Sequence, residues 1–486
     1  MSHRVPFATI LLGLLPATGA LAFQNSPATA TPIKHLVVIF QENTSFDHYF
    51  ATYPSAANPA GETPFVAKPN TPGVNGLSGP LLANNPNSTA PFRLDPAQAL
   101  TCDNDNHYTD EQKAYDHGLL DKFPENTSAT GAGCTPALVM GYYDGNTVTA
   151  IWNYAQNFAM SDNFFATDFG TTVMGHLNLL AGQTHQANTL AAAGTIVNGS
   201  VVANINPVDD DCTKGATVRM TGKNVGDLLN AKGVSWGWFY TEFDPVATVN
   251  GAARCNANYN AHYAPFQYWQ STANPHHLPP LSAAMIGQTD QANHNYSLND
   301  LLTIVAQGGT LPAVTFIKAT SDQTGHPADG TPLQEQAFLA QTVNFLESLP
   351  QWSDMAILIT YDDSDGWYDH VMPPIVNQSA DPANDALAGS TGLCGTLAAN
   401  AYNDRCGYGP RLPLIVISPF AKQNFVDHTL ADQTSILRFV EDNWQLGRIG
   451  DQSMDAVAGS LLNLFNFTGD PGPPIFLDPA NGQIVK

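Results

Sequence analysis

The sequence predicts an α/β sandwich built on a buried, mostly parallel sheet. Two apolar runs lead to that class. His35-Leu36-Val37-Val38-Ile39-Phe40 is followed by Gln41-Glu42-Asn43. Met355-Ala356-Ile357-Leu358-Ile359-Thr360-Tyr361 is followed by Asp362-Asp363-Ser364-Asp365-Gly366. Neither run alternates with polar residues, so each reads as a strand covered on both faces, as in parallel sheets. The third observation is that further apolar runs alternate with stretches of amphipathic helical spacing. In open α/β sheets ligands sit beyond the carboxyl ends of the strands. Oxygen ligands from positions 42 and 362 are therefore expected to meet at one cation.

The other elements follow in chain order. Residues 23–32 are polar and rich in Ala, Pro and Thr, and are expected to be disordered. Residues 54–100 are rich in Pro, Asn, Gly and Ala and read as a surface excursion before Cys102. Val148, Ile151, Trp152 and Ala155 place a helix over 148–159. Residues 176–181 open another just after Gly170-Thr171-Thr172. Residues 186–223 read as a Gly/Asn/Val-rich insertion with hairpin character, and 233–240 as a strand. A helix is expected over 298–306, a strand over 312–317 and a helix over 333–348, before the Met355 run. Residues 412–418 form one more buried strand, and 432–446 a helix with Asp432 as N-cap. No repeat or linker interrupts this pattern. Residues 23–486 are expected to form one domain, with insertions at 54–100 and 186–223.

Composition narrows the function. The formal net charge is -24, which repels phosphate backbones at long range and argues against nucleic acid as a partner. Arg4, the apolar stretch 7–15 and Ala20-Leu21-Ala22 read as an export signal over 1–22, implying a periplasmic or extracellular protein. That stretch is well under the ~20 residues needed to span a bilayer, so no transmembrane segment is expected. The six cysteines suit up to three disulfides in an exported chain, and nearest-neighbour pairing is one of the possible connectivities. The oligomeric state is not legible.

Several residues could carry chemistry. Glu42 and Asn43, at a strand end, suit a metal ligand and a donor to substrate oxygen; the competing reading is a helix cap. Asp362 and Asp363 repel each other unless a cation or proton lies between them; the competing reading is a solvated acidic turn. Thr171 and Thr172 precede a helix, where a hydroxyl meets free N–H groups, which suits phosphate binding and attack on phosphorus; the competing reading is an ordinary cap. Of 14 histidines, His107, His262 and His326 lie in polar, turn-rich stretches where a ring could bind phosphoryl oxygens or protonate a leaving group. His276, His277 and His294 are lesser candidates.

Six segments resemble the bacterial acid phosphatase and phospholipase C phosphoesterase family of the alkaline-phosphatase superfamily. They are HLVVIFQENTSFDHYFATYP (35–54), HYTDEQKAYDHGLLDKF (107–123), MSDNFFATDFGTTVMGHLNLLAGQ (160–183), GHPADG (325–330), ITYDDSDGWYDHVMPP (359–374) and GYGPRLPLIVISPFAK (407–422). The resemblance implies a three-layer sandwich with helices on both faces of the sheet. It implies one divalent metal ion held by Glu42, Asn43, Asp362, Asp363 and the nucleophile oxygen. The nucleophile stands two residues after the Gly of an F-G-x-S/T segment, which is Thr172. Family histidines fall on His107 and His326, and on His262 through the following Pro-Phe-Gln-Tyr. Asn43, His107 and His326 would bind phosphate. Oxygen ligation favours Ca²⁺, Mg²⁺ or Mn²⁺ over Zn²⁺. Acid phosphatases of this kind tend to carry Ser with flanking prolines at the nucleophile, whereas this chain has Thr172-Val173-Met174.

The expectation is therefore an exported acid phosphatase acting on small phosphorylated substrates through a phosphothreonyl intermediate. A phospholipase C is the first alternative. A non-catalytic metal-binding protein on the same fold is the second, and a sulfatase, for which the C/S-x-P-x-R motif is missing, is the third.

Overall fold

The structure, a computed structural model, describes residues 27–188, 195–377, 379, 381, 383–388, 394, 405–469 and 471–485; the expected export signal lies outside them. Its centre is an eight-stranded sheet. The strands are β1 (His35–Gln41), β2 (Ala159–Ser161), β3 (Trp236–Tyr240), β4 (Asn295–Tyr296), β5 (Val314–Lys318), β6 (Met355–Tyr361), β7 (Leu414–Ile417) and β8 (Phe425–Asp427). Their spatial order is β4-β3-β5-β1-β6-β7-β2-β8. All neighbours are parallel except at β7, which runs against β6 and β2. The two strands that mark the fold in the sequence, β1 and β6, lie side by side in the middle.

Five helices position the site: α1 (Tyr108–Tyr115), α2 (Thr149–Asn157), α3 (Thr172–Ala181), α4 (Pro332–Glu347) and α5 (Gln433–Trp444). Every residue from Leu36 to Gln41 is buried. Successive strand side chains point to opposite faces, so both faces must be covered. Phe40 meets the ring of His176, on α3, edge-on at 4.9 Å. The next residue, Gln41, points to Glu335 on α4, with Nε2 and Oε1 3.5 Å apart. Thus α3 and α4 lie on opposite faces, α5 packing beside α3 and α2 beside α4. The result is three layers, helix–sheet–helix.

The expected elements shift by a few residues at their ends, as with α3, which starts at Thr172. Three strands are hidden from the sequence: β2, β4 and β8 have two or three residues each, too few to show a pattern. Helix α1 is hidden for another reason. Its buried face carries Glu111 and Gln112 as well as Tyr108, Ala114 and Tyr115, so it reads as polar.

The expectation of a disordered leader is corrected where it falls on described residues. Ala30 N donates to Asn443 O at 2.8 Å, Thr31 Oγ1 donates to Asn443 Oδ1 at 2.8 Å, and Asn443 Nδ2 donates to Ile33 O at 3.0 Å. One asparagine on α5 holds that segment by satisfying its backbone. Asn and Asp side chains do the same for the 54–100 stretch. Asn58 accepts from Phe65 N at 2.8 Å and donates to its O at 2.9 Å, and Asp144 accepts from Ala57 N at 2.8 Å. Disulfides join Cys102 to Cys134, Cys212 to Cys255 and Cys394 to Cys406. Among the described residues, no helix is long and apolar enough to cross a membrane.

Candidate metal centre

Register brings the two acidic strand ends together. In the parallel β1/β6 pair, Gln41 lies opposite Tyr361, so Glu42 and Asp362 leave the sheet side by side. Asn43 then turns at φ 57°, in the left-handed region that asparagine tolerates. Its N–H donates to Asp362 Oδ1 at 3.1 Å. Ser45 caps the short helix Phe46–Phe50 by accepting from His48 N at 3.2 Å, and carries the chain away from the site.

Each of the three carboxylates has one oxygen tied down, and Asn43 is held through its Nδ2. Glu42 Oε1 is paired with Lys318 Nζ. Asp362 Oδ1 accepts from Asn43 N and, at 2.8 Å, from Asp363 N. Asp363 Oδ1 accepts from Asn106 Nδ2 at 3.1 Å and Asp365 N at 2.7 Å. Asn43 donates Nδ2 to Asp365 Oδ1 at 3.1 Å. The remaining oxygens are Glu42 Oε2, Asn43 Oδ1, Asp362 Oδ2 and Asp363 Oδ2. All four are buried without a hydrogen-bond partner among the described residues. Buried acceptors normally find donors. Glu42 and Asp362 lie with His176 so that their ligand atoms are within 4.8 Å of one another, and His176 Nε2 is likewise buried without a partner, an arrangement that fits a divalent cation.

Electrostatics agree. Burial pushes the carboxyls of Glu42, Asp362 and Asp363 upward. The Glu42 charge adds to it at Asp362 and the Asp362 charge at Asp363, while Lys318 opposes it at Glu42. Three buried carboxylates stay ionised together when positive charge is supplied among them.

Thr172 is the first residue of α3, after Gly170 at φ 119° and the cap residue Thr171. The helix is pressed against the second acidic strand end. A Cβ on Gly175 would lie 2.1 Å from Asp362 O, so only glycine allows that approach. One turn after Thr172, His176 donates Nδ1–H to Thr172 O at 2.8 Å, and Nδ1 lies 3.8 Å from Asp362 Oδ2. The structure thus places Gly175 and His176, in the second turn of α3, against Asp362.

The histidines divide. His326 groups with Asp103 and Asp365, and Asp365 in turn holds Asn43. His262 lies near enough to His176 to act on its charge, and burial lowers its own pKa to about 4. His107 caps α1, points outward and bonds Asp105 at 2.5 Å; its neighbour Asn106 is the residue that reaches Asp363. His276, His277 and His294 are engaged elsewhere. The first two pair with Asp211 and Asp210, and His294 stacks on Trp236 at 4.2 Å.

Sequence reasoning misses Lys318, His176 and Glu111. Lys318 ends β5 next to β1, so the strand-end argument that selects Glu42 would have selected it too. His176 is one helical turn from Thr172. Glu111 carries no local signal.

Residues 33–447 match the phosphoesterase family. The non-hemolytic phospholipase C of Pseudomonas aeruginosa is 25% identical over 98% of this chain, which spans 64% of that protein. A second such enzyme, from Burkholderia pseudomallei, is 26% identical over 93% of this chain, which covers 62% of it. The chain therefore spans less than two thirds of the length of these two relatives. A solved protein of the alkaline phosphatase superfamily from Vibrio parahaemolyticus superposes with a TM-score of 0.34 at 11% identity, over 87% of this chain and 71% of that one.

Proposed function

The chain belongs to the phosphoesterase family, and from that premise we propose that it is an exported, metal-dependent phosphoric ester hydrolase working through a phosphothreonyl intermediate on Thr172. The observation that carries the proposal is the set of unpartnered buried oxygens on Glu42, Asn43, Asp362 and Asp363, with Glu42 and Asp362 grouped within 4.8 Å with His176 of α3. A divalent ion held there would neutralise phosphoryl oxygens and lower the pKa of a hydroxyl.

The chain's own residues do the rest. Val173 N donates to Asn204 Oδ1 at 3.0 Å and Met174 N to Thr171 O at 2.9 Å, so what α3 offers a phosphoryl group is chiefly the positive end of its dipole. Asn43, His107 and His326 are the side chains proposed to hold and orient it. The Thr172 hydroxyl forms the new P–O bond as the ester oxygen leaves, and a histidine, His107 or His326, gives that oxygen its proton. Water then attacks the phosphothreonine, releasing phosphate and restoring the hydroxyl. If the acid is a protonated histidine, the optimum lies on the acidic side. The expected signal over 1–22 and the three disulfides support export to the periplasm or the outside of the cell.

The substrate is proposed to be a small phosphomonoester, on the resemblance of the 359–374 segment to acid phosphatases. A second reading, a phospholipase C acting on phosphodiesters, is favoured by the names of the relatives. One experiment addresses both. Thr172→Ala, Asp362→Asn and wild type are assayed on p-nitrophenyl phosphate, bis-p-nitrophenyl phosphate and micellar phosphatidylcholine, with and without chelator. Monoester turnover abolished by either substitution supports the first reading, and diester or lipid turnover abolished in the same way supports the second. Full turnover by Thr172→Ala removes the nucleophile assignment.

A further inference from the structure

The centre shows how many oxygens each residue can give. Asp362 and Asp363 each have one oxygen held by two N–H donors, at 2.7–3.1 Å. Glu42 is different, because its second oxygen is held by a side chain, Lys318. That side chain is fully enclosed. Its Nζ lies 4.5 Å over the Tyr263 ring, 5.4 Å over the Phe40 ring and 3.5 Å from Gln41 O.

We propose that the centre selects a small six-coordinate ion of the Mn²⁺ or Mg²⁺ kind over Ca²⁺, and that Lys318 is the positioning residue that enforces this choice at Glu42. The proposal rests on the metal-dependent reading above and deepens it. Ca²⁺ takes about 6–8 oxygens in a flexible shell and uses bidentate carboxylates readily. Mg²⁺ is smaller and demands a regular shell of six. Here Glu42 and Asp362 are each limited to a single oxygen, and His176, grouped with them within 4.8 Å, offers a ring nitrogen instead of an oxygen. Neither carboxylate is free to ligate through both oxygens, the mode that fills the larger Ca²⁺ shell, so the set favours the small ion. The holds on Asp362 and Asp363 come largely from backbone N–H groups, which substitution does not remove. The hold on Glu42 is removable. Without Lys318, Glu42 Oε1 becomes available, Glu42 can ligate through both oxygens, and the discrimination against Ca²⁺ weakens. Loss of the ammonium charge strengthens binding of either divalent ion alike, so the ratio of the two affinities isolates the effect of oxygen count.

The test is calorimetric titration of the chelator-treated full chain with MnCl2 and with CaCl2. Wild type is expected to bind Mn²⁺ at least about tenfold more tightly than Ca²⁺. Lys318→Met should reduce that ratio roughly tenfold, and Lys318→Arg, which keeps a donor on Glu42, should preserve it. Wild type that binds Ca²⁺ as tightly as Mn²⁺ overturns the selectivity, whether or not Lys318→Met folds. A folded Lys318→Met with an unchanged ratio overturns the role of Lys318. Failure of wild type to bind either ion removes the metal-dependent reading itself, a result distinct from the other two.

Discussion

Ser364 donates a hydrogen bond of 2.6 Å to Glu111 Oε1, with both residues out of water. The other oxygen of the same carboxyl, Oε2, accepts from Gly170 N at 2.8 Å. One side chain of α1 therefore ties the loop that carries Asp362 and Asp363 to the loop that delivers Thr172. Burial pushes its pKa up to about 8, so the group is largely protonated at neutral pH. Glutamine resembles that form. Glu111→Gln is expected to keep kcat within about threefold, whereas Glu111→Ala strands Gly170 N–H and should cost about 1–3 kcal/mol of stability. Urea denaturation and kcat on one phosphoester, measured in parallel, check this. Equal behaviour of the two variants would refute the clamp.

Gly175→Ala is expected to be worse than an ordinary helix substitution, although alanine favours helix. The added methyl would lie 2.1 Å from Asp362 O, a backbone atom, so α3 must move off the strand end. Overpacking of this kind costs about 1–3 kcal/mol. The shift should also weaken Mn²⁺ binding measured by calorimetry. Unaltered affinity and Tm would show that the two elements can separate freely.

If the proposed cation is bound, removing it should destabilise the fold. Glu42, Asp362 and Asp363 lie buried with an oxygen unpartnered on each. A ligand present at a thousand times its Kd contributes about 4 kcal/mol by mass action. Extensive dialysis against chelator is expected to lower Tm by several degrees, and Mn²⁺ to restore it. Scanning calorimetry before and after provides the check, and an unmoved Tm with confirmed metal loss would count against the site.

A stability effect of pH is expected from Glu347, far along α4 from the centre. Its carboxyl accepts from Ile475 N at 3.1 Å, and burial raises its pKa from 4.5 to about 8. A raised folded-state value gives a contribution fully present below pH 4.5 and lost as pH rises through 8. At about 1.4 kcal/mol per unit, partly relieved by relaxation, the loss is about 2–4 kcal/mol. Glu347→Gln should flatten the fall in Tm between pH 5 and 8. Parallel Tm curves for variant and wild type would contradict the assignment.

Two histidines should leave opposite marks on the pH–rate profile. The hydrogen bond to Asp105 raises the pKa of His107 above 6.5, so as an acid it would lose its proton, and activity would fall, only as pH rises beyond that value. Burial lowers His262 to about 4, so it is neutral through the working range. His107→Asn is expected to lower kcat/KM and flatten the alkaline limb, with His262→Asn leaving the limb in place. An alkaline limb that survives in His107→Asn would count against His107 as the acid.

The fold was legible wherever burial was uniform. A strand covered on both faces must be apolar at every position, which marks Leu36–Phe40 and Met355–Ile359 without any knowledge of their neighbours. The abrupt polar ends, Glu42-Asn43 and Asp362-Asp363, are legible for the same reason, since such residues cannot continue a buried strand. The short strands β2, β4 and β8 were not, because they exist only where the sheet offers them a partner. Glu111 was not either, because a buried carboxyl on a helix looks like an exposed one until its partners are known.

What the chain's pattern could not contain is the number of oxygens each strand-end side chain leaves unpartnered. That number depends on what holds the other oxygen. At Asp363 the holders include Asn106, and at Glu42 the holder is Lys318, which lies 276 residues away. Local sequence sets which side chains leave the sheet together. Only the packed structure, which brings distant donors within hydrogen-bonding distance, decides which atoms of those side chains remain to act.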